Sequence, residues 1–242
     1  MPLLSVAGLS KSFGGLRAID DLGFTVQEGE IIGLIGPNGS GKTTTLNLLT
    51  GFLKPDTGSI TFRGENVTGL PRHSMSRKGV ARTFQLTKTF LNFTALQNVM
   101  VGRMYGHRPT ASLDAAREEA QQILEGVGLG GKAQVPARQL TLMQRKMLEL
   151  ARALAARPQL LLLDEVMAGL NPGETEDACC LIKRIRDTGV TIIVVEHIVQ
   201  AICGISDRIV VLNMGRKIAE GPPGEIIHNP QVIEVYLGKA YA

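Results

Sequence analysis

The chain has 242 residues, 44% of them hydrophobic, which is enough to bury one substantial core with a subdomain attached. Its 26 Lys and Arg residues against 22 Asp and Glu residues give a net charge of +4, and this mild balance disfavours nucleic-acid binding. The three cysteines lack metal-ligand spacing, and the N-terminus does not resemble a secretory signal. No apolar run approaches the roughly twenty residues of a membrane helix, so we expect a protein of the reducing cytosol that partners hold at any membrane where it works.

Short apolar runs and turn residues predict strands at 3–9, 18–26, 31–35 and 59–62. Helical periodicity then predicts helices at 94–105, 112–127 and 144–156. Wholly apolar strands, typical of a parallel sheet covered on both faces, return at 160–163, 190–195 and 209–212, with helices at 174–187 and 197–203 and a hairpin at 213–215. We therefore predict an α/β nucleotide-binding core, residues 1–85 and 156–242, interrupted by a helical insertion at 86–155.

Residues 36–43 read Gly-Pro-Asn-Gly-Ser-Gly-Lys-Thr and fit the phosphate-binding P-loop pattern. The glycines let backbone N–H groups approach phosphate oxygens, and the helix that follows adds partial positive charge. Lys42 would reach the β- and γ-phosphates, and the Thr43 hydroxyl would ligate Mg²⁺. A chance glycine-rich turn is the alternative, which the flanking strand and helix disfavour. The nucleotide-binding residues predicted here are Gly36, Pro37, Asn38, Gly39, Ser40, Gly41, Lys42, Thr43 and Thr44.

Two acids, Asp164 and Glu165, follow the apolar strand 160–163, at the strand end where open α/β sheets place ligands. We expect Asp164 to hold Mg²⁺ through water and Glu165 to act as the general base on the attacking water. Two acids that merely begin a surface loop are the alternative, and the P-loop in the same chain disfavours it.

Gln85 closes the strand-forming run 80–84, and His197 follows the predicted strand 190–195. Taken alone, neither residue carries much weight, because a single histidine at such a place is more often structural. Their common position at strand ends around one phosphate site makes both candidates for catalysis.

In order and spacing, these motifs resemble those of ABC-transporter ATPase subunits. The resemblance also includes a Leu-x-x-x-Gln element at 140–144 and a Gly-Leu-Asn-Pro segment at 169–172, and it covers essentially the whole chain. More narrowly, the segments 13–18, 82–85, 168–172 and 215–221 are similar to the LivG-type ATPase of branched-chain amino acid importers. The resemblance implies a P-loop NTPase core of the ABC cassette type, with an antiparallel β subdomain and an inserted helical subdomain.

The resemblance implies roles for further residues toward ATP and Mg²⁺. Phe13 would stack on adenine, although an ordinary core phenylalanine is the alternative. Gln85 would contact Mg²⁺ and the attacking water, and His197 would hydrogen-bond the γ-phosphate and steady Glu165. The signature residues Thr141 and Gln144 would serve the nucleotide of an opposing subunit.

The resemblance also implies partners. Two cassettes would sandwich two ATP molecules head to tail, with Leu170 and Asn171 crossing to the opposite subunit, and a heterodimer with a second, similar ATPase is favoured over a homodimer. Phe84, Phe90 and Phe93 would grip two membrane permease subunits, or would simply fill the core of the helical subdomain. The chain would lie at the cytoplasmic face of the membrane, served indirectly by an extracytoplasmic solute-binding protein, and would bind no nucleic acid.

The sequence departs from the family pattern in three places. The signature, usually Leu-Ser-Gly-Gly-Gln, carries Leu142 and Met143 here, and the Met143 side chain replaces a glycine whose N–H approaches the opposing γ-phosphate. Val166 stands where Pro often follows the catalytic Glu, and Ile198 where Asp often follows the His. Leu142 and Met143 leave open a weakly hydrolysing nucleotide sensor, which the intact Glu165 and His197 disfavour. An ABC protein without membrane partners is a further alternative, which the single cassette, the lack of a long coiled-coil insertion and the lack of a basic patch disfavour. Nothing in the sequence identifies the transported solute.

Overall fold

The structure is a computed structural model that describes residues 1–85 and 87–237. It divides into two compact units, a first unit of Met1–Arg72 with Met167–Ala242 and a second unit of His73–Val166. The predicted boundary at residue 86 and the C-terminal end of the predicted core, 238–242, lie outside the described residues. The division into 1–85 with 156–242 and 86–155 therefore stays a prediction.

The elements follow one another along the chain as a strand-rich start, a helical middle and an alternating end. The strands are β1 (Leu4–Phe13), β2 (Leu16–Val26), β3 (Ile31–Ile35), β4 (Thr57–Phe62), β5 (Glu65–Asn66), β6 (Val80–Arg82), β7 (Leu160–Asp164), β8 (Thr191–Val195), β9 (Arg208–Asn213) and β10 (Arg216–Gly221). The α-helices are α1 (Lys42–Leu49), α2 (Arg72–Arg77), α3 (Ala95–Tyr105), α4 (Leu113–Gly126), α5 (Leu142–Ala155), α6 (Pro172–Asp187), α7 (Val199–Ile205), α8 (Pro223–Ile226) and α9 (Pro230–Leu237).

The first unit contains two kinds of sheet. Strands β2, β1, β4 and β5 lie side by side in that order and are antiparallel. In the other sheet β3 pairs in parallel with both β8 and β9, and β9 turns through a tight hairpin into antiparallel β10. All five residues of β3 and of β8 are buried, and apart from Thr191 at the start of β8 none of them carries a polar side chain. The predicted antiparallel subdomain and parallel core sheet are confirmed.

The second unit holds the parallel pair β6 and β7 together with the helices α3, α4 and α5. Helix α3 begins with a capping box between Thr94 and Gln97, and Ser112 caps α4 as predicted. Helix α5 begins at Leu142, two residues before the predicted start. Among residues 1–85 and 87–237, no helix combines the length and the apolar character that crossing a bilayer requires.

One further helix start differs from the prediction, and some short helices were not predicted. Helix α7 begins at Val199 rather than at residue 197, so His197 lies in the loop that links β8 to this helix. Helices α2, α8 and α9 were not predicted, because each has eight residues or fewer.

Candidate nucleotide-binding and hydrolysis site

The P-loop connects β3 to α1 in the first unit, and two of its glycines occupy positions that no other residue fits. At Gly36, with φ +151°, an added Cβ would lie 2.1 Å from the carbonyl oxygen of Leu212. At Gly41, with φ +106°, it would lie 2.8 Å from the carbonyl oxygen of Ala18. Only glycine therefore fits at these two positions, and with glycine the loop adopts a curled shape in which its N–H groups can face an anion.

Two polar side chains of this loop are buried. The Lys42 ammonium donates hydrogen bonds to the carbonyl oxygens of Gly36 at 2.6 Å and Pro37 at 2.9 Å. The Ser40 hydroxyl has no hydrogen-bond partner among the described residues. Buried hydroxyls are normally paired, so this one fits a loop built for an oxygen-rich ligand.

Phe13 ends β1 and is 46% exposed. The Lys11 ammonium lies 5.8 Å from the centre of its ring. Such exposure argues against the alternative that Phe13 is an ordinary core residue, and it leaves a ring face on which a flat base can stack.

His197 follows β8 and is exposed, whereas its neighbour Glu196 is buried. The Glu196 carboxylate accepts a 2.5 Å hydrogen bond from the backbone N–H of Met167. Glu196 thereby anchors the start of the segment 167–171, which ends at Asn171, the N-cap of α6. Sequence reasoning missed this anchoring role.

Tyr236 of α9 is a second residue that sequence reasoning missed. Burial raises the pKa of Tyr236. The backbone N–H of Gly36, the first residue of the P-loop, lies close enough to its phenol oxygen to act in the opposite direction and lower the pKa of Tyr236. No local signal marks this contact, because the two residues are distant in the sequence.

In the second unit, Asp164 ends β7 and forms a buried ion pair with Arg82 of β6. Arg82 Nη2 lies 2.6 Å from Asp164 Oδ2, and the two side chains are 4% and 3% exposed. The backbone N–H of Asp164 donates to the Thr83 hydroxyl at 3.1 Å. The candidate metal-binding carboxylate is thus fixed from the neighbouring strand, and Arg82 was not a predicted site residue.

Glu165 follows with φ +52°, a left-handed conformation that is unusual for a residue with a side chain. Its carboxylate accepts a 2.7 Å hydrogen bond from the side-chain amide of Gln85, and its carbonyl oxygen lies 3.2 Å from the Lys146 ammonium. The structure therefore brings two predicted site residues, Gln85 and Glu165, into direct contact.

The signature segment forms the N-terminus of α5. The Thr141 hydroxyl accepts from the backbone N–H of Gln144 at 3.2 Å, and the Gln144 side chain accepts from the backbone N–H of Thr141 at 3.1 Å. This capping box accounts for both residues as helix initiators, and it leaves the Thr141 hydroxyl proton available to a ligand. Leu142 is 61% exposed at the same helix end.

The predicted site residues are distributed over both units. The P-loop residues, Phe13 and His197 belong to the first unit, and Gln85, Thr141, Gln144, Asp164 and Glu165 belong to the second. Most of them lie at strand ends or helix N-termini, which are favoured places for anion and nucleotide binding.

Comparison with known proteins identifies the family. Residues 19–168 match the family model described as ABC transporter, and residues 216–242 match the one described as Branched-chain amino acid ATP-binding cassette transporter. The chain is 42% identical to the high-affinity branched-chain amino acid transport ATP-binding protein BraF of Pseudomonas aeruginosa and to LivG of Escherichia coli, covering 99% of each chain in both cases. It is 32% identical to the lipopolysaccharide export system ATP-binding protein LptB of Escherichia coli, over 100% of this chain and 99% of that one.

Solved structures of similar proteins have the same fold. An ATP-binding cassette of an ABC transporter in its ADP conformation superposes with a TM-score of 0.89 at 30% identity, covering 99% of this chain and 100% of that one. A dimeric cassette bound to ADP and Pi gives a TM-score of 0.83 at 25% identity, covering 91% and 98%. The predicted family and fold class are confirmed: this chain belongs to the ABC transporter family as one of its ATP-binding cassettes, which bind nucleotide and hydrolyse ATP.

Proposed function

We propose that this chain hydrolyses ATP to power the uptake of branched-chain amino acids, or of closely related small polar solutes, through separate membrane subunits. The observation that carries the proposal is the match of residues 216–242 to a model specific for branched-chain amino acid cassettes, beyond the general ABC match at 19–168. The 42% identity to BraF and LivG, against 32% to LptB, points the same way.

In the proposed mechanism the P-loop binds the triphosphate of ATP. Lys42 exchanges its bonds to the Gly36 and Pro37 carbonyl oxygens for the β- and γ-phosphates, and the loop N–H groups and the start of α1 hold the remaining oxygens. Phe13 supports the adenine ring by stacking, which tolerates a phenylalanine because the contact is to the ring face.

The residues proposed for Mg²⁺ suit that ion chemically. A hydroxyl from Thr43, a carboxylate from Asp164 and the amide oxygen of Gln85 are all hard oxygen donors, which Mg²⁺ prefers. Among the described residues no group of three or more His, Cys, Asp or Glu side chains forms a metal cluster. With these few donors, Mg²⁺ would keep several waters, and it would neutralise charge on the phosphates.

Hydrolysis requires a base on the attacking water, and Glu165 is the proposed base. The water oxygen forms a bond to the γ-phosphorus, its proton passes to Glu165, and the bond between the γ-phosphorus and ADP breaks. Gln85, which contacts the Glu165 carboxylate, positions this base and the water. His197 hydrogen-bonds the γ-phosphate.

The proposed active form is a head-to-tail dimer with a second ABC ATPase. Thr141 and Gln144 at the start of α5 then serve the ATP of the partner, and Leu170 and Asn171 cross the dimer interface. A similar cassette has been solved as a dimer bound to ADP and Pi. Because Met143 lies in the signature of this chain, its effect falls on the partner's ATP, and we propose an asymmetric heterodimer.

An exposed aromatic surface of the second unit is the proposed contact with the membrane subunits. Phe90, Leu91 and Phe93 are 46%, 49% and 43% exposed, and the rings of Phe90 and Phe93 lie 5.4 Å apart. A cluster this exposed fits a partner surface better than a subdomain core. We propose that it receives a helix of a permease subunit, which would hold the chain at the cytoplasmic face of the membrane.

The proposal is tested with the assembled complex in nanodiscs. We expect the solute-binding protein loaded with leucine, isoleucine or valine to stimulate ATP hydrolysis, and Lys42→Ala to abolish both nucleotide affinity and hydrolysis. Lipopolysaccharide, the cargo named for LptB, provides the contrasting arm. Stimulation by lipopolysaccharide but not by any amino acid would exclude the importer assignment.

A further inference from the structure

The segment that carries Gln85 is held by a buried acid that the mechanism above does not use. Glu149 lies in the middle of α5 and is 2% exposed. Its Oε1 accepts a 3.0 Å hydrogen bond from the backbone N–H of Lys88. Burial raises the pKa of Glu149, but the backbone N–H of Phe84 also lies close enough to this carboxylate to lower that pKa. Glu149 therefore faces the backbone on both sides of Gln85, at Phe84 and at Lys88.

A second set of hydrogen bonds holds the continuation of the same segment. The buried side chain of Asn98, in α3, accepts from the backbone N–H of Phe90 at 2.8 Å and donates to the carbonyl oxygens of Phe90 and Thr94, each at 3.0 Å. The two sets of hydrogen bonds differ in chemistry, because the Asn98 side chain is neutral whereas the buried Glu149 side chain is a carboxylate.

Glu149 is also linked to the exposed aromatic surface. Arg152, one turn further along α5, lies 3.6 Å from Glu149 Oε1, and its guanidinium sits 5.3 Å from the ring centre of Phe90. Burial raises the pKa of Glu149 and lowers the pKa of Arg152, so both ions are held at an energetic disadvantage.

Packing alone does not explain this arrangement. A buried ion pair is often replaced by apolar residues of similar volume without loss of stability. At Glu149, however, such a replacement would leave the N–H of Lys88 without its acceptor and would remove the carboxylate that faces the N–H of Phe84. The carboxylate thus serves the segment around Gln85 specifically.

Helix α5 links the backbone contacts of Glu149 to the signature segment at 140–144. It begins at Leu142, capped by Thr141, and Glu149 follows seven residues later, about 10 Å along a rigid helix. Gln85 itself contacts Glu165 at 2.7 Å. The Glu149 carboxylate thereby connects the Gln85 segment to the signature helix. Through Arg152, it also connects them to the exposed aromatic surface around Phe90.

We propose that Glu149 is a positioning residue that makes the Gln85 segment and the signature helix move as one body. A displacement that a membrane subunit imposes on Phe90 then reaches Gln85 and Thr141 together. This inference rests on the proposed function, because it supposes that membrane subunits press on that surface.

The test compares three variants. Glu149→Met keeps the side-chain volume but removes both acceptor oxygens, and Glu149→Gln keeps one of them. Glu119→Met is the matched control: it removes a carboxylate with two arginine partners, Arg103 at 2.5 Å and Arg157 at 2.8 Å, from the same unit without touching the Gln85 segment.

In the reconstituted complex we expect Glu149→Met to lower the solute transported per ATP hydrolysed by about tenfold, a coupling loss of ordinary size, while the affinity for ATP stays within about twofold. In the isolated chain we expect the amides of Phe84 and Lys88 to exchange hydrogen faster while the amides of α5 keep their protection. Glu119→Met should change neither readout.

Unchanged transport per ATP in Glu149→Met, or unchanged exchange at Phe84 and Lys88, would overturn the inference. If Glu149→Met fails to fold, Glu149→Gln decides, with expected changes of about twofold to threefold in the same two readouts; wild-type values in it contradict the inference. A wild-type complex without solute-stimulated hydrolysis refutes the proposed function instead, and the exchange measurement then decides the role of Glu149 without membrane subunits.

Discussion

The side-chain amide of Gln85 donates a 2.7 Å hydrogen bond to the carboxylate of Glu165, across 80 positions of sequence. This contact fixes the direction in which the proposed base presents its oxygens, since the Glu165 backbone is itself held in a left-handed conformation. A base held in place before substrate binds avoids reorganisation during the reaction.

Replacing these two residues should have effects of different size. We expect Glu165→Gln to lower ATP hydrolysis by about a hundredfold or more, because the proton acceptor is lost, and to trap an ATP-bound dimer. Gln85→Ala keeps the base and should lower hydrolysis by about tenfold. Steady-state hydrolysis and size-exclusion chromatography with ATP measure both effects, and a Glu165→Gln complex that hydrolyses at the parental rate would eliminate Glu165 as the base.

The ion pair of Arg82 and Asp164 should matter for stability. Arg82→Met leaves the Asp164 carboxylate buried without its partner, and we expect the free energy of unfolding to fall by about 3–5 kcal/mol. The partly exposed pair of Arg186 and Asp187, with side chains 31% and 63% exposed, provides the control, since Arg186→Met should lower stability by less than about 1 kcal/mol. Urea denaturation measures both, and equal losses would show that the Arg82 pair contributes no more than a surface pair.

Glu149 predicts a pH dependence of stability. Burial raises its pKa above the ordinary value of 4.5, so in the window between these two values the folded chain binds a proton that the unfolded chain has lost. The contribution of Glu149 to stability is therefore full below the ordinary pKa and decreases as pH rises through the raised one. Denaturation at a series of pH values should show the stability of Glu149→Gln, relative to wild type, increasing with pH across this window; a constant difference would contradict the raised pKa.

The contact between Tyr236 and Gly36 predicts that α9 supports nucleotide binding. Tyr236→Phe keeps the ring but removes the acceptor of the Gly36 N–H, and we expect ATP affinity to fall by about threefold to tenfold, as for the loss of one hydrogen bond. Tyr105→Phe is the matched control, because Tyr105 is 72% exposed and lies in the second unit. Direct titration with ATP decides, and equal affinities for both variants and wild type would deny Tyr236 this role.

Met143 should limit hydrolysis at the partner's site. In a complex whose own Glu165 is replaced by Gln, only the partner's base acts, and hydrolysis should rise from Met143 to Met143→Ala to Met143→Gly as the side chain shrinks. Disabling one base at a time tests the direction of the asymmetry. If loss of Glu165 leaves most activity while loss of the partner's base removes it, the effect assigned to Met143 is wrong.

Local patterns predicted most of the elements, because hydrophobic period and capping chemistry act over a few residues. The apolar run before Asp164 forms a buried strand, and Ser112 caps α4, as the sequence indicated. The start of α5 was misplaced by two residues because Thr141 and Gln144 read as signature residues, whereas they also form a capping box.

The long-range partners were beyond the reach of the sequence. Arg82 meets Asp164 across 82 positions, and Glu149 grips Lys88 across 61. Such contacts arise when strands and helices pack, and no local period encodes which polar side chain will face which backbone group. Residues that belong to a motif could therefore be proposed as site residues from the sequence, whereas the long-range partners that hold them in place could not.

The most direct test is the uptake of labelled leucine into proteoliposomes that contain the complete complex, with the solute-binding protein outside and ATP inside. We predict uptake with wild-type chain that stops with Glu165→Gln, although this variant still binds ATP. Leucine uptake that continues with Glu165→Gln, or that is absent with the wild-type complex while ATP is hydrolysed, would contradict the account that this chain powers the import of branched-chain amino acids.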